Sequence, residues 1–219
     1  MDLGDSDNDD VSGLSSEEAA RAASFRFERD RRRFVASRRW LRRLLADRLG
    51  VRPEAISYAV DAHGKPWLAD QLGSSLAFSL SRSGDVAVVA LAAHRDVGVD
   101  VEAHRTDDQA VVERRVFSPP EQSVLGRLEG VERREGFFRL WARKEAFVKA
   151  VGVGLTMPLD AIDVTGEMIG LLRPLPEFPA AAGSWSVRDL ELEPGYAAAV
   201  VIEGLLPPDM IRLRRVSSY

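Results

Sequence analysis

The chain has 219 residues, enough for one large domain or two small halves, and its 45% hydrophobic and 29% charged residues are typical of a folded protein. The absence of cysteine excludes disulfides and thiolate metal sites. A net charge of −4 and a pI near 5.5 argue against a nucleic-acid-binding protein. The N-terminus is acidic, unlike a signal peptide, and no apolar run reaches the roughly 20 residues of a membrane span. We therefore expect a cytoplasmic protein that binds neither nucleic acid nor membrane.

Two helices are predicted near the N-terminus, after an acidic segment at residues 1–13 that is typical of a flexible tail. The sequence SSEE at residues 15–18 is a capping signature and predicts the start of the first helix. The second helix is predicted from about Arg31 to Leu49, because its leucines recur on one face. Arg38 and Arg42 are four residues apart and share one side of this helix. Its arginine density indicates a cationic patch for a small polyanion.

Short strands are predicted in two blocks, from Ala55 to Glu102 and from Ala161 to Gly204, with helices between them. Within the first block, Val86–Ala92 and Val97–Val101 are predicted to form a hairpin or an adjacent strand pair. The alternation of helices and strands indicates an α+β fold of two similar halves, although no internal sequence repeat supports the similarity. The predicted division is a tail at 1–13, an N-terminal half at 14–103 and a C-terminal half at 104–219.

Two carboxylates lie on one face of the predicted strand VGVDVE. The strand period of two directs Gly98, Asp100 and Glu102 to the same face and the valines to the other. Two residues along a strand, the acids are about 7 Å apart at Cα, which suits two oxygen ligands of one hard cation. A glycine beside them leaves room for a ligand. An isolated pair of this kind is more often a solvated strand end, so the pattern alone does not decide.

The predicted helix around residues 137–151 carries charged residues beside an apolar stripe. Trp141, Glu145 and Lys149 recur every four residues and form one ridge. Glu145 and Lys149 have the favoured order for an intrahelical ion pair, whereas the functional alternative makes Glu145 a metal ligand and Lys149 a phosphate contact or proton donor. Lys144 lies in the middle of the apolar stripe, where lysines are seldom found without a partner.

Two loops carry polar residues suited to phosphate. The sequence HGKPWL at residues 63–68 is predicted to be a turn that presents Lys65. The sequence FSLSRSGD at residues 78–85 ends a strand with three serines and Arg82. Exposed hydroxyls and a guanidinium beside loop amides make a plausible phosphate cradle. Taken singly, each segment fits an ordinary polar loop equally well.

Six motifs follow one another in a specific order: GKP at 64–66, F-x-L-S-x-S at 78–83, G-V-D-V-E at 98–102, F-S-x-x-E at 117–121, W-x-x-K-E-x-F-x-K at 141–149 and G-x-G-L at 152–155. With the arginine-rich helix, they resemble the 4'-phosphopantetheinyl transferases, of the type that activates polyketide and nonribosomal peptide synthetases. The resemblance extends from about Leu14 to Glu203.

The resemblance implies a fold of two similar α+β halves with coenzyme A in the cleft between them. It implies transfer of the 4'-phosphopantetheine arm of coenzyme A to a serine hydroxyl of an apo acyl or peptidyl carrier protein, releasing 3',5'-adenosine bisphosphate. Magnesium would be held by Asp100, Glu102 and Glu145. Glu145 is also the candidate for activating the attacking hydroxyl, and Lys149 the candidate for protonating the leaving group. Charge neutralisation and alignment are the main needs of such a phosphoryl transfer.

The resemblance also implies contacts to coenzyme A. Its adenosine 3'-phosphate and pyrophosphate would be surrounded by Arg38, Arg42, Lys65, Pro66, Ser81 and Arg82. Lys144 and Lys149 would face the diphosphate. The family usually has asparagine and histidine where this chain has Ser79 and Arg82, and arginine keeps its charge at any pH. Residues 116–128, including Arg127, are the candidate docking surface for acidic carriers, and a monomer is expected.

Two other functions compete with this interpretation. A magnesium-dependent phosphodiesterase or nuclease also needs acids and a lysine, but it leaves the GKP motif and the tryptophan helix unexplained. A non-catalytic module that binds through its arginine helix gives no role to Asp100 or Glu145.

Overall fold

The computed structural model describes residues 11–61, 63–69, 73–105 and 110–214, so most of the predicted tail, residues 1–10, lies outside the described residues. The described helices are α1 (Ser16–Ala23), α2 (Glu28–Leu49), α3 (Ala110–Val116), α4 (Pro119–Leu125) and α5 (Gly130–Val151). The strands are β1 (Tyr58–Val60), β2 (Pro66–Leu68), β3 (Leu76–Ser83), β4 (Val86–Ala93), β5 (Val97–Ala103), β6 (Ile162–Asp163), β7 (Gly170–Leu171), β8 (Trp185–Asp189) and β9 (Tyr196–Glu203). None of the described helices combines the length and apolar character of a membrane-spanning segment.

The capping signature begins α1 as predicted. Ser15 Oγ accepts the backbone N–H of Glu18, and the Glu18 carboxylate accepts the backbone N–H of Ser15. The second helix, α2, begins at Glu28, three residues before the predicted start, and ends at Leu49, where Gly50 caps it with φ 67°. Its buried residues Leu41 and Leu45 pack against β1, β2 and β3.

The described strands form four small antiparallel sheets, and this overturns one predicted pairing. β4 pairs with β3 as a hairpin, whereas β5 pairs with β9 in the three-stranded sheet β5–β9–β8. The predicted ladder between β4 and β5 is therefore wrong. The valine face of β5 packs against Val86 and Val88 of β4, so these two strands meet face to face and do not pair edge to edge. The architecture is α+β, and the similarity of two halves stays a prediction.

Alternate serines of β3 join the hairpin to β5 in place of a backbone ladder. Ser79 Oγ accepts the backbone N–H of Val99 at 3.1 Å, and Ser83 Oγ accepts that of Ala103 at 2.9 Å. Ser79 and Ser81 are buried. The expectation that these hydroxyls are exposed for phosphate is wrong, because the period of two turns all three towards β5.

The long helix α5 packs directly on β5 at Gly98. A Cβ atom on Gly98 would lie 2.0 Å from the carbonyl oxygen of Ala146 and 2.4 Å from the backbone nitrogen of Ala150. The space beside Gly98 is therefore filled by helix backbone and not by a ligand, contrary to the prediction. This close approach brings the face of β5 that carries Asp100 and Glu102 against α5.

Candidate active site

One ionic network joins β3, β5 and α5. Lys149 Nζ lies 2.6 Å from Oδ1 of Asp100 and donates to Ser81 Oγ at 2.9 Å. Ser81 Oγ in turn donates to the same Asp100 oxygen at 2.7 Å. Asp100 is 3% exposed, and its burial raises its pKa, although the charge of Lys149 opposes the shift. Lys149 therefore pairs with an acid of the strand, and Ser81 belongs to this network instead of a phosphate cradle.

The second acid of β5 is held by the helix ridge. Trp141 Nε1 donates to Oε1 of Glu102 at 2.9 Å, and Ser83 Oγ donates to its other oxygen at 3.3 Å. Burial and the neighbouring charge of Asp100 raise the pKa of Glu102. The predicted ridge of Trp141, Glu145 and Lys149 thus faces the two acids of the strand. Trp141 bonds to Glu102, and Lys149 bonds to Asp100.

Glu145 lies on α5 between the two donors that reach β5. Its Oε1 atom is buried without a hydrogen-bond partner among the described residues. Burial, followed by the charge of Asp100, raises the pKa of Glu145 to about 7, with a smaller contribution from Glu102. A carboxylate with a pKa near neutrality can accept a proton from a hydroxyl group at physiological pH.

The three carboxylates fit a hard cation by their chemistry, although the described residues contain no group of three or more His, Asp or Glu side chains already placed to hold a metal ion. The charge of Asp100 acts on the pKa of both glutamates, which brings all three acids into one electrostatic neighbourhood. Asp100 Oδ2 and Glu145 Oε1 are both buried without a hydrogen-bond partner in the part of the chain that is described. Such oxygens suit magnesium. The ligand set of Asp100, Glu102 and Glu145 stays a prediction.

A cationic pocket lies between α1, α2 and β3. The guanidinium groups of Arg38 and Arg82 lie 5.6 Å and 5.3 Å from the ring centre of Phe34. Partial burial, and next the charge of Arg38, lower the pKa of Arg82. The two like charges repel each other, and a bound anion would offset this repulsion. The pocket has a volume of about 350 Å³ and is lined by Glu17, Glu18, Arg21, Phe25, Phe34, Arg38 and Arg82.

This pocket contains one cation that sequence reasoning missed. Arg21 comes from the short helix α1, and no motif in the sequence linked α1 to α2. The signal that points to it is the position of Arg21 in the last turn of a helix that the capping box had already located.

Arg42 is not available for coenzyme A, contrary to the prediction. It is 2% exposed, and its Nε atom pairs with Glu18 Oε2 at 2.6 Å. Its Nη1 atom donates to the carbonyl oxygens of Pro53 and Ile56. Helical spacing placed Arg38 and Arg42 on one side, but α1 covers the position of Arg42 and leaves Arg38 at the pocket.

Lys144 is also corrected, since it does not face a diphosphate. It is 0% exposed, and its Nζ atom lies 2.8 Å from Oε2 of Glu121, which is also 0% exposed. It donates to the carbonyl oxygens of Leu159 and Ile162 as well. The lysine lies in the apolar stripe because a buried carboxylate is its partner.

Lys65 and Pro66 lie where the β1–β2 turn meets the end of α5. Lys65 Nζ donates to the carbonyl oxygen of Ala150 at 2.6 Å and pairs with Asp96 at 2.8 Å. Its stem packs on Gly152, where φ is 81°. Pro66 begins β2. A contact of Lys65 or Pro66 with coenzyme A stays a prediction.

Comparison with known proteins identifies the family. The family model described as the 4'-phosphopantetheinyl transferase superfamily matches residues 96–201, and that of the 4'-phosphopantetheinyl transferase N-terminal region matches residues 8–94. The 4'-phosphopantetheinyl transferase HetI of Nostoc sp. is 37% identical over 193 residues, which are 87% of this chain and 79% of that protein. The transferase psf-1 of Bacillus pumilus is 32% identical over 85% of this chain and 78% of its own length.

Among solved structures, the Chronobacterium ammoniagenes ACPS–CoA complex is 19% identical, covers 52% of this chain and 98% of that chain, and has a TM-score of 0.39. The sequence relatives identify the family independently of this structural likeness, and the nuclease alternative is left without support. The motifs, the clustered acids of β5 and α5, and the matches along the chain lead to one assignment: this chain is an enzyme of the 4'-phosphopantetheinyl transferase superfamily.

Proposed function

We propose that the acids and the lysine at the junction of β5 and α5 are the catalytic centre for transfer of the 4'-phosphopantetheine arm of coenzyme A to a carrier-protein serine. The observation that carries this proposal is the meeting of Asp100, Glu145 and Lys149 in one network that includes buried, unpartnered carboxylate oxygens. Such a site supplies a proton acceptor and a cation in a partly dry environment, which phosphoryl transfer requires.

Glu145 is the proton acceptor in this proposal. The attacking serine hydroxyl must lose a proton as it bonds to the β-phosphorus of coenzyme A, and the bond from that phosphorus to the 3',5'-adenosine bisphosphate oxygen breaks. Glu145, a buried carboxylate whose pKa in the metal-free protein is raised to about 7, is the group that takes up the serine proton. Lys149, with a partly exposed side chain, neutralises the leaving oxygen and donates a proton to it.

Magnesium, held by Asp100, Glu102 and Glu145, would supply charge neutralisation for the diphosphate. The arginine pocket would bind the adenosine 3'-phosphate, because Arg38 and Arg82 present two cations beside one aromatic ring. Coenzyme A would then extend from this pocket along β3, which connects Arg82 to the network at Ser81.

The carrier surface is proposed at residues 116–128, which contain α4. Arg127 is exposed there, and Arg114 and Arg115 are exposed on the neighbouring α3. Acidic carriers of polyketide or nonribosomal peptide synthetases, and hence a role in secondary metabolism, remain part of the proposal, as do a cytoplasmic location and a monomeric state. The charge of this surface favours an acidic partner.

A mass assay tests the proposal directly. Protein, coenzyme A, magnesium and an apo carrier protein are mixed, and the carrier is examined for the mass of the added arm. Modification is expected with the wild type, and near-total loss with Asp100→Ala or Glu145→Gln. Glu132→Gln, an exposed acid on the same helix, is the matched control and should leave the rate unchanged. A Glu145→Gln enzyme with the wild-type rate would refute the role of Glu145.

A further inference from the structure

A fully buried ion pair connects α4 to α5 away from the acid cluster. Glu121 and Lys144 are both 0% exposed, and Lys144 Nζ lies 2.8 Å from Glu121 Oε2. The same ammonium group donates to the carbonyl oxygens of Leu159 at 2.7 Å and Ile162 at 2.8 Å. Each of its three N–H groups therefore has an acceptor.

The carboxylate of the pair is equally satisfied. Glu121 Oε2 also accepts the backbone N–H of Ser118 at 2.8 Å, and Glu121 Oε1 accepts that of Val164 at 2.9 Å. The network thus joins three parts of the fold: the start of α4, the middle of α5 and residues 159–164. All of these bonds are directional, and they hold α5 from the side opposite β5.

Stability alone gives a weak reason for these charges. The cost of removing two charges from water offsets most of their attraction, and well-packed apolar residues of similar volume serve stability equally well. The surrounding cluster of Phe137, Leu140, Phe147 and Val148 already buries one side of α5. An apolar stripe, however, tolerates small rotations and shifts of a helix, whereas directional hydrogen bonds do not.

The orientation of the neighbouring residue, Glu145, depends on how α5 is rotated about its axis. Glu145 follows Lys144 directly, and its buried Oε1 atom has no hydrogen-bond partner among the described residues that would orient it. The placement of α5 therefore sets the direction of this carboxylate. We infer that Glu121 and Lys144 are positioning residues that fix the rotation of α5 and so hold Glu145 and Lys149 against Asp100. The inference rests on the proposed function.

The test replaces the pair by apolar residues in the double variant Glu121→Leu/Lys144→Met, which removes the directional bonds without leaving an unpaired charge. We measure kcat, the KM for coenzyme A, Tm, and the number of coenzyme A binding sites per chain by calorimetry. A positioning role lowers kcat per binding site by about 10-fold to 100-fold, because small misplacements of a catalytic group are costly. The KM for coenzyme A should change less than about twofold, since the arginine pocket lies on other elements.

A matched control uses the adjacent residue of α5. Arg143 pairs with Asp189, which is exposed, so Asp189→Asn removes a charge pair on the same helix without touching the buried network. Its kcat should equal that of the wild type.

The outcomes separate the possibilities. If the double variant keeps its binding sites and the wild-type kcat, the pair has no positioning role and the inference is wrong, whether or not Tm has fallen. If it does not fold, the isosteric variant Glu121→Gln is measured in its place, and the same comparison of kcat with KM decides. A wild-type protein that fails to modify any carrier contradicts the proposed function itself, which distinguishes the two failures.

Discussion

The indole nitrogen of Trp141 lies 2.9 Å from Oε1 of Glu102, so the helix carries the donor that orients an acid on the strand. Trp141→Phe keeps an aromatic ring at this partly buried position and removes the bond. A hydrogen bond to a charged group contributes roughly 1.5–3 kcal/mol, so we expect kcat to fall by about 10-fold to 100-fold. The measurement is steady-state transfer to an apo carrier protein. In the Glu102→Ala background, which lacks the acceptor, the same substitution should add little, and a full additional loss would contradict the pairing.

Gly98 allows the close approach of β5 and α5, and its substitution should separate them. In Gly98→Ala, the new methyl group would lie 2.0 Å from the carbonyl oxygen of Ala146. Because both neighbours are backbone, α5 must move, and we expect a loss of roughly 1–3 kcal/mol in the free energy of unfolding. Transfer activity should fall with it. Urea unfolding measures the stability.

Gly166→Ala is the control for that experiment, because a Cβ atom there would meet its nearest neighbour at 3.5 Å, an ordinary contact. Its stability should stay near that of the wild type. A Gly98→Ala protein with unchanged stability and activity would show that α5 does not pack as described.

Glu145 should make the metal-free protein less stable as the pH rises. Its pKa is raised from 4.5 to about 7 in the folded state, so the folded protein binds this proton more tightly than the unfolded chain. The associated stability is fully present below pH 4.5 and is lost as the pH rises through about 7. Glu145→Gln removes this dependence. Its Tm in the presence of a chelator should exceed that of the wild type at pH 8, and the difference should shrink towards acidic pH.

Magnesium should also raise the Tm of the wild type at pH 8, because a ligand that binds the folded state stabilises it. Glu132→Gln, on the exposed side of α5, provides the comparison and should show no pH-dependent difference. Equal Tm values for wild type and Glu145→Gln at both pH values would mean that the carboxylate is solvated in the folded protein.

The arginine pocket predicts selectivity for the 3'-phosphate of coenzyme A. Arg38→Ala and Arg82→Ala each remove a cation from the ring of Phe34. A charge-assisted hydrogen bond contributes roughly 1.5–3 kcal/mol, so the KM for coenzyme A should rise by about 10-fold to 100-fold. The KM for 3'-dephospho-coenzyme A should change little. An equal rise for both substrates would place the 3'-phosphate elsewhere.

Much of the fold was predictable because it depends on local signals. The capping box at Ser15 and the glycine after Leu49 mark helix ends through interactions within a few residues. The alternation in β5 correctly separated its valine face from its acidic face, and the spacing of four on α5 correctly aligned Trp141, Glu145 and Lys149. Periodicity fixes which residues share a face.

The wrong predictions concern the partners that pack against a given face, because periodicity carries no information about those partners. Arg38 and Arg42 share one side of α2, yet α1 packs over Arg42 alone. Lys144 is predicted to face a diphosphate, whereas its partner is Glu121, which lies 23 positions earlier in the sequence and on another helix. The pairing of β5 with β9 is likewise a long-range choice, made by the packing of both faces of the strand.

Arg42 and Arg38, four residues apart, should therefore respond to substitution in opposite ways. Arg42→Met leaves the Glu18 carboxylate, paired at 2.6 Å in the wild type, buried without its cation. Breaking a buried pair costs roughly 3–5 kcal/mol, so urea unfolding should show a large loss of stability. The KM for coenzyme A, measured at low temperature where the variant is folded, should stay near the wild-type value. A stable Arg42→Met protein with a raised KM would return Arg42 to the coenzyme, whereas an unstable one with a raised KM would point to its partner Glu18, which also lines the pocket.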